Sequence, residues 1–356
     1  MRLYGREWTR RELEARVGRL EQVGGARRFA WTEGPEAGTE MIQVRTGAGL
    51  TYYVSPSRGM DISLAEFGGV PLSWQSPNGE VHPAYYDARG VEWLRTAVGG
   101  LLMTCGLAQV GSPNVDEGEE LGQHGRVHHL QARHVSAQGE WMGDNYEMRL
   151  SGMVEEGRIF GEALRLTRTI RSRLGENSIA INDVVENVGF NETPHMILYH
   201  FNFGFPLMME GTEVEFPSGE VVVRDEGTPV EGYDRWQGPE AGYEERVYYH
   251  EGLHNESATS REPDRASVVI RNPRFPVAGG SSEVPLTVRL TWETRNLPRL
   301  VQWKMPGAGV HVLGIEPANC YVEGRAAERE RGTLVMLQPG ESRSYNLSLE
   351  IETQPR

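Results

Sequence analysis

The fifteen residues from Gln302 to Glu316, QWKMPGAGVHVLGIE, hold Lys304, the only lysine in a chain of 356 residues. They end on Glu316, a carboxylate set among apolar residues and a proline. An ammonium is a compact point charge with rotatable donors, which a planar guanidinium cannot replace in a tight site. In a chain that otherwise uses arginine, the retained lysine marks a candidate partner for an anion or a carboxylate. A surface lysine beside a strand-ending glutamate explains the same residues equally well, so other parts of the chain must decide. On an extended strand Gln302 and Lys304 share one face and Trp303 takes the other. Gln302 and Lys304 are the expected cavity-lining pair, because a buried lysine without a partner costs far more than an exposed tryptophan.

Four more polar clusters interrupt the apolar pattern. Arg58 and Asp61 flank a glycine in PSRGMD, read either as a ligand-binding turn or as a local ion pair. His124, Arg126, His128 and His129 crowd into GQHGRVHH. Histidine clusters bind zinc, yet no cysteine lies near and the spacing matches no ligand signature. A sugar or anion site and plain surface histidines are the other two readings. His200 sits in the aromatic tract LYHFNFG, either as a hydrogen-bonded core residue or as a group whose pKa the surroundings shift. Glu245 opens the run ERVYYH, which also reads as an edge strand. A histidine and a carboxylate on separate strands of one scaffold can serve as an acid–base pair. The chain holds no G-x-S-x-G elbow and no glycine-rich phosphate loop.

The elements that must position these residues are mostly strands. Val284, Leu286, Val288, Leu290 and Trp292 alternate with polar residues or proline, and Tyr345, Leu347, Leu349 and Ile351 repeat the pattern. Ile179 and Ile181 continue it, with Val185 beyond Asp183. Period-2 runs bounded by breakers such as Asn187-Val-Gly189 and Gln338-Pro-Gly340 predict antiparallel strands with one buried face. The best helix signal is a capping box, Thr9 to Glu12, with Leu13, Val17 and Leu20 on one face and Gly24-Gly25 as the stop. A second short helix is expected over Ala326 to Arg331. The prediction is an all-β antiparallel sandwich with a short N-terminal helix. Residues 1–30 form the helical appendage, and 31–356 form a single domain.

Composition bounds the function. No apolar run approaches the roughly 18 residues that span a bilayer, and the charged N-terminus does not read as a secretory signal. Cys105 and Cys320 are too few to staple a fold of this size and are expected as free thiols in a cytoplasmic protein. A formal net charge of -14 argues against nucleic acid as a partner.

The order RGMDI, GGLLMTCGL, HGR, His200-x-x-Phe203, ERVY and GIEPANC resembles the galactose mutarotase-like superfamily. Within it the chain is most similar to the aldose 1-epimerase branch described as a domain of unknown function. The tracts NVGFNETPHMILYHFNFGFP and QWKMPGAGVHVLGIEPANCYVEGR carry most of the likeness, which runs from about Leu3 to the last strand. The resemblance implies a large antiparallel β-supersandwich, and acid–base exchange of this kind is expected to need no cofactor or metal. The resemblance also implies that His200 and Glu316 are the catalytic acid and base. His124 in HGR matches a second histidine of the hexose-6-phosphate epimerase branch. Glu245 stands where that branch has an aspartate. Val98 stands where it has an arginine ahead of Gly99-Gly100, a departure that counts against a phosphosugar.

The resulting expectation is an enzyme that interconverts sugar anomers, with Glu316 taking the anomeric hydroxyl proton and His200 giving one to the ring oxygen. Each must reach a different oxygen, so the two are expected to face one cavity across roughly 5–8 Å. Arg58, Asp61, His124, Arg126, Glu245, Gln302 and Lys304 are the expected substrate-binding residues, with Trp303 or Phe203 as a stacking face. The basic members of that set point to a sugar acid or other anionic sugar. The partner is a small molecule and the chain a monomer or homodimer. Two rival classes stay open: a sugar-binding protein without catalysis, and an epimerase or isomerase acting at another carbon.

Overall fold

A computed structural model describes residues 1–254, 264–277 and 282–353. Two antiparallel sheets stack around one large apolar core. The eight-stranded sheet carries the runs whose alternation was plainest. Ser178–Asn187, Ser342–Thr353 and Glu283–Glu293 are consecutive neighbours in it. Their inward residues Ile181, Leu347, Leu290 and Trp292 are buried in the core, as a sheet with one solvated face requires.

The twelve-stranded sheet carries the site. Five of its strands lie side by side in the order Arg246–Glu251, Arg299–Gly307, Val310–Ala318, Thr193–Gly204 and Leu102–Leu107. These strands are buried on both faces, so they read in sequence as apolar runs. On Thr193–Gly204 the side chains of Ile197, Tyr199, Phe201 and Phe203 enter the inter-sheet core. Met196 and Leu198 join a second apolar cluster on the opposite face, with Met103, Cys105, Val301 and Cys320. His200 shares that second face by its period of two. Cys105 and Cys320 are both buried and free.

A buried ionic bridge ties the sheets together. Arg168, fully buried, donates to Asp183 on the next strand and to Asp61 Oδ1 at 2.7 Å. Thr104 and His128 complete the shell of Asp61. Burial alone would raise the Asp61 pKa, but His128 and Arg168 outweigh it and hold the carboxyl below its ordinary value.

The N-terminal expectations hold in part. Thr9 and Glu12 form the reciprocal capping box, but the helix spans only Arg10–Glu14. Leu13, Val17 and Leu20 still pack together, against Leu3, Val23 and Leu174. Gly25–Ala30 is a strand hydrogen-bonded to Glu40–Arg45 in the large sheet. Residues 25–30 of the expected appendage thus belong to the large sheet. The second helix runs over Arg325–Arg331.

Candidate active site

His200 and Glu316 sit opposite each other on adjacent antiparallel strands, in a register set by the pairs Phe201 with Ile315 and Leu198 with Ala318. Directly opposed residues have Cβ atoms about 4.5–5.5 Å apart, and His200 Nε2 lies 3.2 Å from Glu316 Oε1. Both residues are buried and both line a cavity of about 690 Å³ on the outer face of the large sheet. The expected 5–8 Å separation is too long. Direct opposition brings the two groups into contact, and the two oxygens of a hemiacetal share one carbon, so an adjacent acid and base can reach both.

Gly314 makes this contact possible. A Cβ at this position would lie 2.6 Å from Glu316 Oε1, 2.9 Å from Trp303 Cβ and 3.1 Å from His200 Cε1. The glycine leaves the floor of the site open. Trp303 forms the adjoining wall, its ring edge-on to His200 at 5.6 Å and to Trp74 at 6.0 Å. Its Nε1–H donates to Glu245 Oε2 at 2.9 Å, while Arg224 donates to Glu245 Oε1 at 3.0 Å. Trp93 and His124 line the other side, their rings 4.9 Å apart.

Burial sets the protonation of this site. It pulls His200 down to about 3, with His124 adding to the effect, and His124 itself to about 4. It pushes Glu316 well above the carboxylate range, with Glu245 adding to the shift. Both partners are thus held neutral, the response expected of ionisable groups taken out of water. The protonated Glu316 carboxyl lies against the His200 ring. Moving its proton to nitrogen gives a carboxylate and an imidazolium, the charge states of an acid–base pair.

Of the expected site residues, the cavity gathers His200, Glu316, His124 and Glu245. The others lie elsewhere. Asp61 belongs to the inter-sheet bridge. Arg58 is buried behind the site and donates to the Val81 carbonyl. Arg126 is exposed. Gln302 and Lys304 project from the opposite face of their strand, Gln302 to His250 and the Tyr233 carbonyl, Lys304 to the carbonyls of Gly232 and Arg235. Alternation separates the two faces, but the cavity takes the Trp303 face rather than the expected Gln302 and Lys304 face. Backbone carbonyls of a loop distant in sequence supply Lys304 with partners away from the cavity. Phe203 points into the core. Trp74, Trp93, Arg224 and Gly314 were missed, and only Gly314, two residues before Glu316, carried a local signal.

Among the described residues no group of three or more histidine, cysteine or carboxylate side chains could hold a metal ion. No helix in the described residues is long and apolar enough to cross a membrane.

No curated protein matches the chain. Among solved structures, a provisionally assigned aldose 1-epimerase from Klebsiella pneumoniae superposes with a TM-score of 0.80 at 24% identity, covering 93% of this chain and 86% of that one. A galactose mutarotase-like protein from Clostridium acetobutylicum gives 0.58 at 13% identity, over 94% and 100% of the two chains. A galactose 1-epimerase from Lactobacillus acidophilus gives 0.56 at 11% identity, over 93% and 99%. At these identities the likeness establishes a galactose mutarotase-like β-sandwich. The model of one family matches residues 36–351, and the chain belongs to that family, described as a domain of unknown function, DUF4432.

Proposed function

We propose that the protein interconverts the anomers of an uncharged sugar by acid–base exchange between His200 and Glu316. The observation that carries this reading is their contact at 3.2 Å inside an aromatic-walled cavity. The Glu316 carboxylate takes the proton of the anomeric hydroxyl as the His200 imidazolium gives one to the ring oxygen. The bond from C1 to the ring oxygen breaks, and the anomeric oxygen becomes the carbonyl of the open chain. Rotation about the C1–C2 bond presents the other face, and the two transfers reverse to close the ring. Each such transfer is worth roughly 10²–10⁴-fold. Trp303 and Trp74 offer apolar ring faces to the sugar, as aromatic walls in binding pockets do.

The charge of the lining favours an uncharged substrate over the anionic one the sequence pointed to. Arg224 is the one arginine among the lining residues described, and Glu245 and Asp225 already hold its guanidinium. Asp225, Glu245 and Glu323 are the other carboxylates on the lining beside Glu316, so a phosphate or carboxylate would enter against like charge.

Saturation-transfer NMR on a panel of neutral aldoses, sugar acids and sugar phosphates tests the reading. Exchange should accelerate for at least one neutral aldose. Glu316→Gln and His200→Asn should each lose at least about a hundredfold of that acceleration while staying folded. Unchanged exchange in both variants, or acceleration confined to anionic sugars, contradicts it.

A further inference from the structure

Residues 224 to 245 connect two strands of the large sheet without any helix or strand of their own. Connections of this length in a compact domain are uncommon and are usually functional. The two ends of this one meet in the cavity, where Arg224 donates to Glu245. Its middle runs behind the sheet, where Trp236 enters the inter-sheet core.

The strand Arg299–Gly307 grips this loop from both faces with three consecutive residues. On the cavity face Trp303 holds Glu245 at the loop's end. On the core face Gln302 Nε2 donates to the Tyr233 carbonyl at 2.7 Å. Lys304 Nζ donates to the Gly232 carbonyl at 2.5 Å and to the Arg235 carbonyl at 2.8 Å. The Trp236 ring closes the niche, its centroid 5.7 Å from the ammonium. Tyr248 on the neighbouring strand adds a bond from its hydroxyl to the Pro229 carbonyl.

This arrangement explains the single lysine. Two carbonyls three residues apart converge on one point, which a compact ammonium fills and a planar guanidinium does not. Lys304 is 1% exposed, and its ammonium is met by these two carbonyls and the Trp236 ring.

We infer that residues 224–245 form the specificity-determining wall of the cavity and that Lys304, with Gln302, is a positioning residue that holds this wall from the back of the sheet. Lys304 touches no substrate. It fixes the course of the loop, and the loop fixes where Arg224 and Glu245 stand against the sugar. The inference rests on the proposed anomer exchange for its kinetic consequence, but not for its structural one.

The test uses full-length Lys304→Met and Lys304→Arg, with Tyr248→Phe as a variant that loosens the same loop without removing a buried charge. Amide hydrogen exchange over residues 224–245 is read first, because it needs no substrate. Exchange there should quicken at least about tenfold in all three variants, with the His200 and Glu316 strands unchanged. On the best neutral sugar, KM should rise about tenfold with kcat within about twofold, the pattern of lost positioning rather than lost chemistry. Unaltered loop protection in Lys304→Met and Tyr248→Phe would overturn the inference, as would a fall in kcat at constant KM. If the wild-type protein moves no sugar, the functional proposal fails, while hydrogen exchange still decides whether Lys304 holds the wall.

Discussion

His200 and Glu316 occupy directly opposed positions on neighbouring antiparallel strands, and their side chains meet at 3.2 Å on the face turned away from the main core. Their separation is therefore a property of strand register rather than of a flexible loop, and a one-residue slip would send one of them into the core. A site built on paired strands is held more firmly than one built on loops. The loop 224–245 instead brings Arg224 and Glu245 to the cavity from its two ends.

Gly314→Ala should abolish anomer exchange. The new methyl would meet Glu316, Trp303 and His200 within about the distances that place it inside their van der Waals envelopes. Stability should fall by only about 1–3 kcal/mol, as for overpacking at other tight positions. Exchange NMR and urea unfolding on one sample separate the two effects, and a fully active variant would show that the floor of the site is not needed.

Trp303→Phe should raise KM about three- to tenfold with little change in kcat. The ring face stays, but the donor to Glu245 is lost, and the carboxylate is left with Arg224 alone. Equal losses in kcat and kcat/KM would instead place the indole N–H in the transition state.

Asp61→Asn separates a structural role from a substrate-binding one. It strips a charge from a buried Arg168 that donates to both Asp61 and Asp183, and breaking a buried pair in this way costs about 3–5 kcal/mol. The urea midpoint should drop, while sugar affinity of the remaining folded protein stays at the wild-type value. Loss of affinity with unchanged stability would return Asp61 to the binding site.

Glu156 gives a pH prediction. It is buried, accepts from the Leu107 amide at 2.6 Å, and burial pushes its carboxyl from 4.5 up to about 7. A raised pKa means that the folded state holds the proton longer than the unfolded chain. Its stabilising contribution is full below about pH 4.5 and is lost progressively as pH rises to about 7. Glu156→Gln cannot ionise, so it should gain on wild type across that window, by about 3 kcal/mol at most. Thermal unfolding at pH 4.5, 5.5 and 7 measures the difference, and a difference that shrinks with rising pH would contradict the assignment.

The sequence by itself determined the fold class and the one-faced strands, and it put forward the candidate acid and base. Leu286, Val288, Leu290 and Trp292 announce a one-faced strand because only that geometry repeats every two residues. Thr9 and Glu12 announce a cap because its hydrogen bonds span three residues. His200 and Glu316 came from motif order, not from physics local to either residue.

Tertiary structure decided which face of each strand became the cavity. Strands buried on both sides, such as Thr193–Gly204 and Arg299–Gly307, carry no hydrophobic–polar alternation to mark a direction. Trp303 was therefore as eligible as Lys304. Lys304 turned inward because Gly232 and Arg235, about 70 residues upstream, present carbonyls to it, and Asp61 because Arg168 reaches it from the other sheet. Partners that distant in sequence leave no spacing to read, and only the folded chain brings them within hydrogen-bond range.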